Sequence, residues 1–168
     1  EHLLNYYNEL NDEEKEMLLN QIDETDFSVV DIKGCEGKKG KITPLVAMQL
    51  KEIEENRELF EKTGLKAIKE GKVGTVLLAG GMGTRLGSDN PKGMYNIGET
   101  KDVFIFERIV SNLLDVVKKA DAWIYLFVMT SDRNHDITKS FFKEKDYFGY
   151  NKDYVFFFKQ EMAPASDY

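Results

Sequence analysis

The densest grouping of chemically usable residues lies between Leu78 and Lys92. The stretch Leu78-Ala79-Gly80-Gly81-Met82-Gly83-Thr84-Arg85-Leu86-Gly87 places four glycines in eight positions, with one arginine, directly after a β-rich apolar run. Glycine lets a backbone adopt positive φ or approach a ligand closely, so such a loop can turn its N–H groups toward an anion. Arg85 adds a planar fork matched to phosphate oxygens. Pro91-Lys92-Gly93 follows, holding a second, point-like cation between a rigid residue and a permissive one. The chemistry these residues suit is the holding of nucleotide phosphates. Two familiar phosphate loops fail on spacing. No glycine stands four residues before a Gly-Lys-Ser/Thr string. Gly81, Gly83 and Gly87 leave three residues in the second gap where the dinucleotide fingerprint needs two, and no acid follows at the distance that would take a ribose.

A loop of this kind needs a strand to present it. Val73 to Ala79 is a short β-rich run that suits a strand buried on both faces. After the glycine loop, Phe106, Ile109, Val110, Leu113, Leu114 and Val117 mark one face of a helix. Trp123 to Met129 reads as a second buried strand, with Trp123 in the core; Ile137, Phe141 and Phe142 mark a second helix; Tyr154 to Phe158 reads as a third strand. Strand alternating with helix predicts a parallel sheet with right-handed crossovers and helices on its faces. Ligands bind such sheets at the carboxyl ends of the strands, where the glycine loop begins. The aromatic run Phe156-Phe157-Phe158 could stack on bases, but alternation puts its members on both faces of the sheet, and core packing is the expected role.

Upstream, Leu3 to about Asp31 is acidic and helical in pattern, with Leu10, Met17, Leu18 and Ile22 able to share a face. Asn11 with Glu14 reads as a capping box. Lys33 to Lys41 has loop composition and no phosphate-loop spacing, and is read as a connector. Leu50 to Lys69 returns to a helical pattern that Gly71 ends. The expected organisation is a helical segment and connector over 1–50, then a sheet-bearing domain over 51–168.

The chain has 168 residues, a net charge of −7 and a charged fraction of 32%. That balance repels nucleic acid, and no apolar run is long enough to span a membrane. Cys35 is the only cysteine. An intramolecular disulfide is impossible, and a cytoplasmic setting is the expectation. His2 and His135 lack the spacing of a metal site.

The glycine loop followed by Pro91-Lys92-Gly93-Met94-Tyr95 resembles the signature of the UDP-sugar pyrophosphorylase family, nearest its UDP-N-acetylhexosamine pyrophosphorylase branch. The similarity continues through Val128-Met129-Thr130-Ser131, Phe141-Phe142, Tyr147-Phe148-Gly149 and Val155 to Met162. It is strong over the second half of the chain and weak over the first. The resemblance implies a Rossmann-like, GT-A-like nucleotidyltransferase sheet with a helical N-terminal appendage. It implies UTP and a sugar 1-phosphate as partners, N-acetylglucosamine 1-phosphate or glucose 1-phosphate, with a non-catalytic nucleotide-binding module as the alternative. Leu78, Ala79, Gly80 and Gly81 are implied to meet the uracil and phosphates, together with Gly83 and Thr84 of the same loop. Lys92 is implied to touch phosphate, Arg85 to neutralise the triphosphate and Gln160 to read the uracil edge. Mg²⁺ is implied for the full-length enzyme, with its aspartate ligand and a further Gly-rich segment beyond Tyr168. The expectation is therefore an incomplete catalytic domain, inactive by itself.

Overall fold

The computed structural model describes residues 2–27, 40–41 and 43–161. The connector over 33–41 lies outside the described residues apart from its last two. The chain forms two compact units, and the second, Val46–Glu161, carries the sheet.

In the first unit, helix α1 spans Asp12–Glu24. Its start is the predicted capping box: the Asn11 side chain accepts the Glu14 N–H at 2.9 Å, and the Glu14 carboxylate accepts the Asn11 N–H at 2.9 Å. Three acids in the first turn complement the positive end of the helix dipole. No residue of α1 is buried, and Met17, expected on its apolar face, is exposed. Upstream of α1 the predicted helix gives way to two single 3₁₀ turns, His2–Leu4 and Tyr7–Glu9, and residues 28–31 of that stretch lie outside the described residues.

In the second unit the long helix expected over 50–69 is two helices, α2 (Leu50–Glu55) and α3 (Arg57–Lys69). The break falls at Asn56, whose side-chain amide donates back to the Glu52 carbonyl at 2.9 Å and takes the backbone out of the helical region. Helix α3 stops where Gly71 adopts φ +67: its N–H bonds Ile68 O, and the Lys72 N–H bonds Ala67 O, the paired bonds of a Schellman close.

Strand β1 (Gly74–Leu78), helix α4 (Ile105–Ala120), strand β2 (Tyr125–Thr130), helix α5 (His135–Glu144) and strand β3 (Val155–Lys159) follow. The sheet is parallel throughout, in the order β1-β2-β3, with Val76 opposite Phe127 and Phe127 opposite Phe156. Phe106, Val110 and Val117 of α4, Leu126 and Val128 of β2, Phe141 and Phe142 of α5, and Val155 make one core. Rings pack within it edge to face, Phe142 against Phe157 at 5.3 Å and against Phe148 at 5.2 Å. Before β3, Asp146, Tyr147, Phe148 and Gly149 form a run at positive φ that swings Phe148 under α5.

Three expectations are corrected. The strands are not buried on both faces: along β1 burial alternates, and Val76 and Leu78 are exposed. The core role expected for Phe156-Phe157-Phe158 holds for Phe157 alone, since Phe156 and Phe158 are exposed on the face that carries neither α4 nor α5. Trp123 and Ile124 precede β2 instead of opening it, and the Trp123 ring is 37% exposed, packed on Tyr150 and Tyr154 at the sheet's amino end.

Candidate functional site

The three strands deliver their carboxyl ends to one edge, and the ladder runs one residue beyond the strands on either side. The Ala79 N–H donates to Met129 O at 2.7 Å, and the Gln160 N–H donates to Thr130 O at 2.8 Å. These bonds bring Ala79 and Gln160 to opposite sides of the end of β2. The Gln160 side chain then leans over Gly80: a Cβ added at Gly80 would lie 3.3 Å from Gln160 Oε1. Two candidates that are 80 positions apart in sequence thus share one surface.

Within the loop, each glycine has its own reason. Gly87 takes φ +69 to end the 3₁₀ turn Thr84–Leu86. Gly83 is buried, and an added Cβ would sit 2.9 Å from Asn90 O. This closeness comes from a two-residue pairing in which the Gly83 N–H donates to Asn90 O at 2.8 Å and the Lys92 N–H to Gly81 O at 3.1 Å. Met82 and Pro91 face each other between those bonds, an antiparallel position that needs no N–H and so accepts proline. Gly93 is buried because the Phe106 ring occupies its side-chain space, with an added Cβ falling 2.1 Å from a ring carbon. The glycine in Pro-Lys-Gly thus serves packing, and it seats Lys92 against the glycine loop.

The N–H groups of Gly83 and Gly87 are consumed inside the fold, the latter by Thr84 O. Those of Gly80 and Gly81 make no hydrogen bond among the described residues. Thr84, Arg85 and Lys92 are exposed, and neither cation pairs with a described carboxylate. Lys159, also near this edge, is committed: Asp132 lies 3.0 Å away and holds the ammonium pKa above its usual value by hydrogen bonding and charge. Leu78 is exposed at the strand end and Ala79 is buried.

Two residues at this edge escaped the sequence reading. Thr130 is fully buried; its hydroxyl lies 3.0 Å from Phe158 O and 2.7 Å from His135 Nδ1. Asn134 is also fully buried, and its side chain joins Ala79 O to the Ser131 N–H. The available signal was an Asn three residues after Ser131 at a helix start, a position normally read as a cap.

Among the described residues no group of three His, Cys, Asp or Glu could hold a metal. The described side chains do not fit a Mg²⁺ site. No described helix is long and apolar enough to cross a membrane.

The family model described as UTP–glucose-1-phosphate uridylyltransferase matches residues 25–168. The chain belongs to this family. Within the family of UDP-sugar pyrophosphorylases, its similarity runs to the UDP-N-acetylhexosamine branch. UDP-N-acetylglucosamine diphosphorylase 2 of Arabidopsis thaliana is 37% identical over 186 residues, covering 98% of this chain and 37% of the relative. UDP-N-acetylglucosamine pyrophosphorylase of Saccharomyces cerevisiae is 41% identical over 111 residues, covering 64% of this chain and 23% of the relative. The crystal structure of the uridine diphosphate N-acetylglucosamine pyrophosphorylase of Trypanosoma brucei, in complex with inhibitor, superposes with a TM-score of 0.64 at 32% identity. That match covers 71% of this chain and 25% of the other. The chain thus spans little more than a third of the Arabidopsis family member's length. Its sheet, loop and Pro-Lys-Gly segment all lie inside the matched family region.

Proposed function

We propose that the full-length protein is a uridylyltransferase that joins UTP and a sugar 1-phosphate into a UDP-sugar. N-acetylglucosamine 1-phosphate is the first candidate acceptor and glucose 1-phosphate the second. The observation that carries this reading is the meeting of Gln160 with Gly80 at the strand ends. There a side-chain amide and a backbone N–H can read a base edge, beside two cations suited to phosphates, none of the backbone and cationic groups having a partner among the described residues. The names of the similar proteins support the choice of sugar.

A phosphate oxygen of the sugar 1-phosphate forms a bond to the α-phosphorus, the bond from that phosphorus to its bridging oxygen breaks, and pyrophosphate leaves with the electron pair. No covalent enzyme intermediate is needed. The barrier is charge crowding, so Arg85 and Lys92 act by neutralising the phosphates, and the Gly80 and Gly81 N–H groups by orienting the nucleotide.

Pyrophosphate release from UTP with a panel of sugar 1-phosphates tests the reading. Consumption of another nucleotide, with none of UTP for any sugar, would defeat it. Lys92→Ala should lower kcat about a hundredfold, roughly 3 kcal/mol, if the cation serves the transition state. A raised KM with unchanged kcat would assign it to ground-state binding instead. The 168 residues alone are expected to hold nucleotide weakly and turn over nothing.

A further inference from the structure

We propose that Asn134 is a positioning residue for the nucleotide base, acting through Ala79 to aim the Gly80 N–H, and that it thereby sets the preference for uracil. The inference rests on the uridylyltransferase reading above. Asn134 stands immediately before α5, with the residue type and place of an N-cap, yet its side chain makes no capping bond to that helix. It reaches away instead. Its Nδ2 donates to the Ala79 carbonyl at 2.9 Å across 55 positions of sequence, and its Oδ1 accepts the Ser131 N–H at 2.9 Å. The two partners fix the amide's orientation, since a flipped amide would set N–H against N–H and oxygen against oxygen. Asn134 is 0% exposed and Ala79 7%, so solvent cannot replace the bond between them.

A trans peptide unit is planar, and its C=O and N–H point in opposite directions. The Ala79 carbonyl is held inward by Asn134, so the N–H of the same unit, that of Gly80, is directed outward. It has no partner among the described residues, and the Gln160 amide lies beside the same glycine. The imide edge of uracil presents oxygen, N–H, oxygen. The Gln160 amide can accept from the N–H and donate to one oxygen while the Gly80 N–H donates to another. Cytosine carries an amino group in place of one of those oxygens, and a fixed N–H donor facing it leaves both donors unsatisfied. Discrimination then depends on the peptide staying fixed, which is the task of Asn134.

Asn134→Asp and Asn134→Ser separate this role from a structural one. Both keep an oxygen able to accept the Ser131 N–H. The first sets an oxygen against Ala79 O, and the second is too short to reach it. In the full-length protein, the measurements are the KM for UTP, the inhibition constant of CTP against UTP, and the thermal midpoint of each variant. The expected result is a UTP KM raised about tenfold in both variants, the size of one misdirected hydrogen bond, with the CTP constant unchanged or lowered. A structural role would lower kcat per mole of total protein and leave KM and the CTP constant where they were. That outcome, or an equal weakening of both nucleotides, overturns the proposal. Failure of the unsubstituted protein to turn over UTP would show that the underlying reading is wrong, and the inference falls with it.

Discussion

On the face of the sheet turned to α4 and α5, Leu126 and Val128 are 1% and 0% exposed, and rings from α5, β3 and the turn before β3 lock over them. On the opposite face Val76, Leu78, Tyr125, Phe127, Phe156 and Phe158 are all exposed, Leu78 to 72%. The residue types are alike. What differs, among the described residues, is the presence of a helix, and the bare rings shield one another instead, Phe127 stacked on Phe156 at 5.6 Å and Tyr125 5.9 Å from Phe156. An apolar run in a strand therefore reports the capacity for burial, while a neighbouring element decides whether burial occurs. A contiguous apolar surface of this kind is uncommon on a soluble monomer and favours association.

The largest expected effect comes from truncating one ring on each face. Phe142→Ala removes a fully buried ring from the covered side and should cost about 3–5 kcal/mol in chemical denaturation of the chain. Phe156→Ala removes a ring already half in water and should cost less than about 1 kcal/mol, while reducing self-association seen by sedimentation. Equal losses at the two positions would break the comparison, because the bare face would then have to be covered in solution.

The contrast extends to glycines beside the site. Gly93 lies against Phe106, a ring of the covered face, and Gly93→Ala forces a methyl into space that the ring occupies. Overpacking of that kind costs about 1–3 kcal/mol. Gly81→Ala meets nothing within 4 Å, so the thermal midpoint should stay within a degree or two of the parent, a change of under about 0.5 kcal/mol. A similar stability loss at both would show that the loop packs more tightly than its geometry implies.

Much of this was legible in the sequence for definite reasons. The capping box at Asn11 and the stop at Gly71 are local devices whose residues sit within a few positions of one another. The parallel sheet follows from short apolar runs alternating with segments of helical period. The convergence of Gly80 and Gln160 was legible only through family resemblance, since the ladder bonds that bring them together are long-range. The bare face was not legible, because Val76 and Leu77 look alike in sequence and only the placement of α4 and α5 separates them. The split at Asn56 was missed because a side chain bonding its own backbone leaves the apolar period intact. Asn134 was missed because its place before a helix gave it an ordinary local explanation.

A pH-dependent effect is expected where the two faces meet, at the sheet's amino end. Tyr150 is buried in the covered core, and its hydroxyl donates to the Ile124 carbonyl at 2.6 Å just before β2. Its ring touches Trp123, Trp123 lies against Tyr154, and Tyr154 lies 4.9 Å from Tyr125 on the bare face. Burial raises the phenol's pKa above its ordinary value of 10.0. An acid whose folded pKa is raised stabilises the fold fully below the unfolded value. As pH climbs past 10 the unfolded chain releases the proton first, and stability falls until the folded state ionises too. Tyr150→Phe removes the hydroxyl and leaves the Ile124 carbonyl without this donor, so it should cost about 1 kcal/mol at neutral pH. It should also flatten the part of the alkaline decline that Tyr150 contributes. Thermal melts of both proteins from pH 7 to 11 test the pair of effects. A variant that loses stability at pH 7 yet keeps the full alkaline slope would assign that slope to the other tyrosines, and would leave Tyr150 as a packing residue at the junction of the two faces.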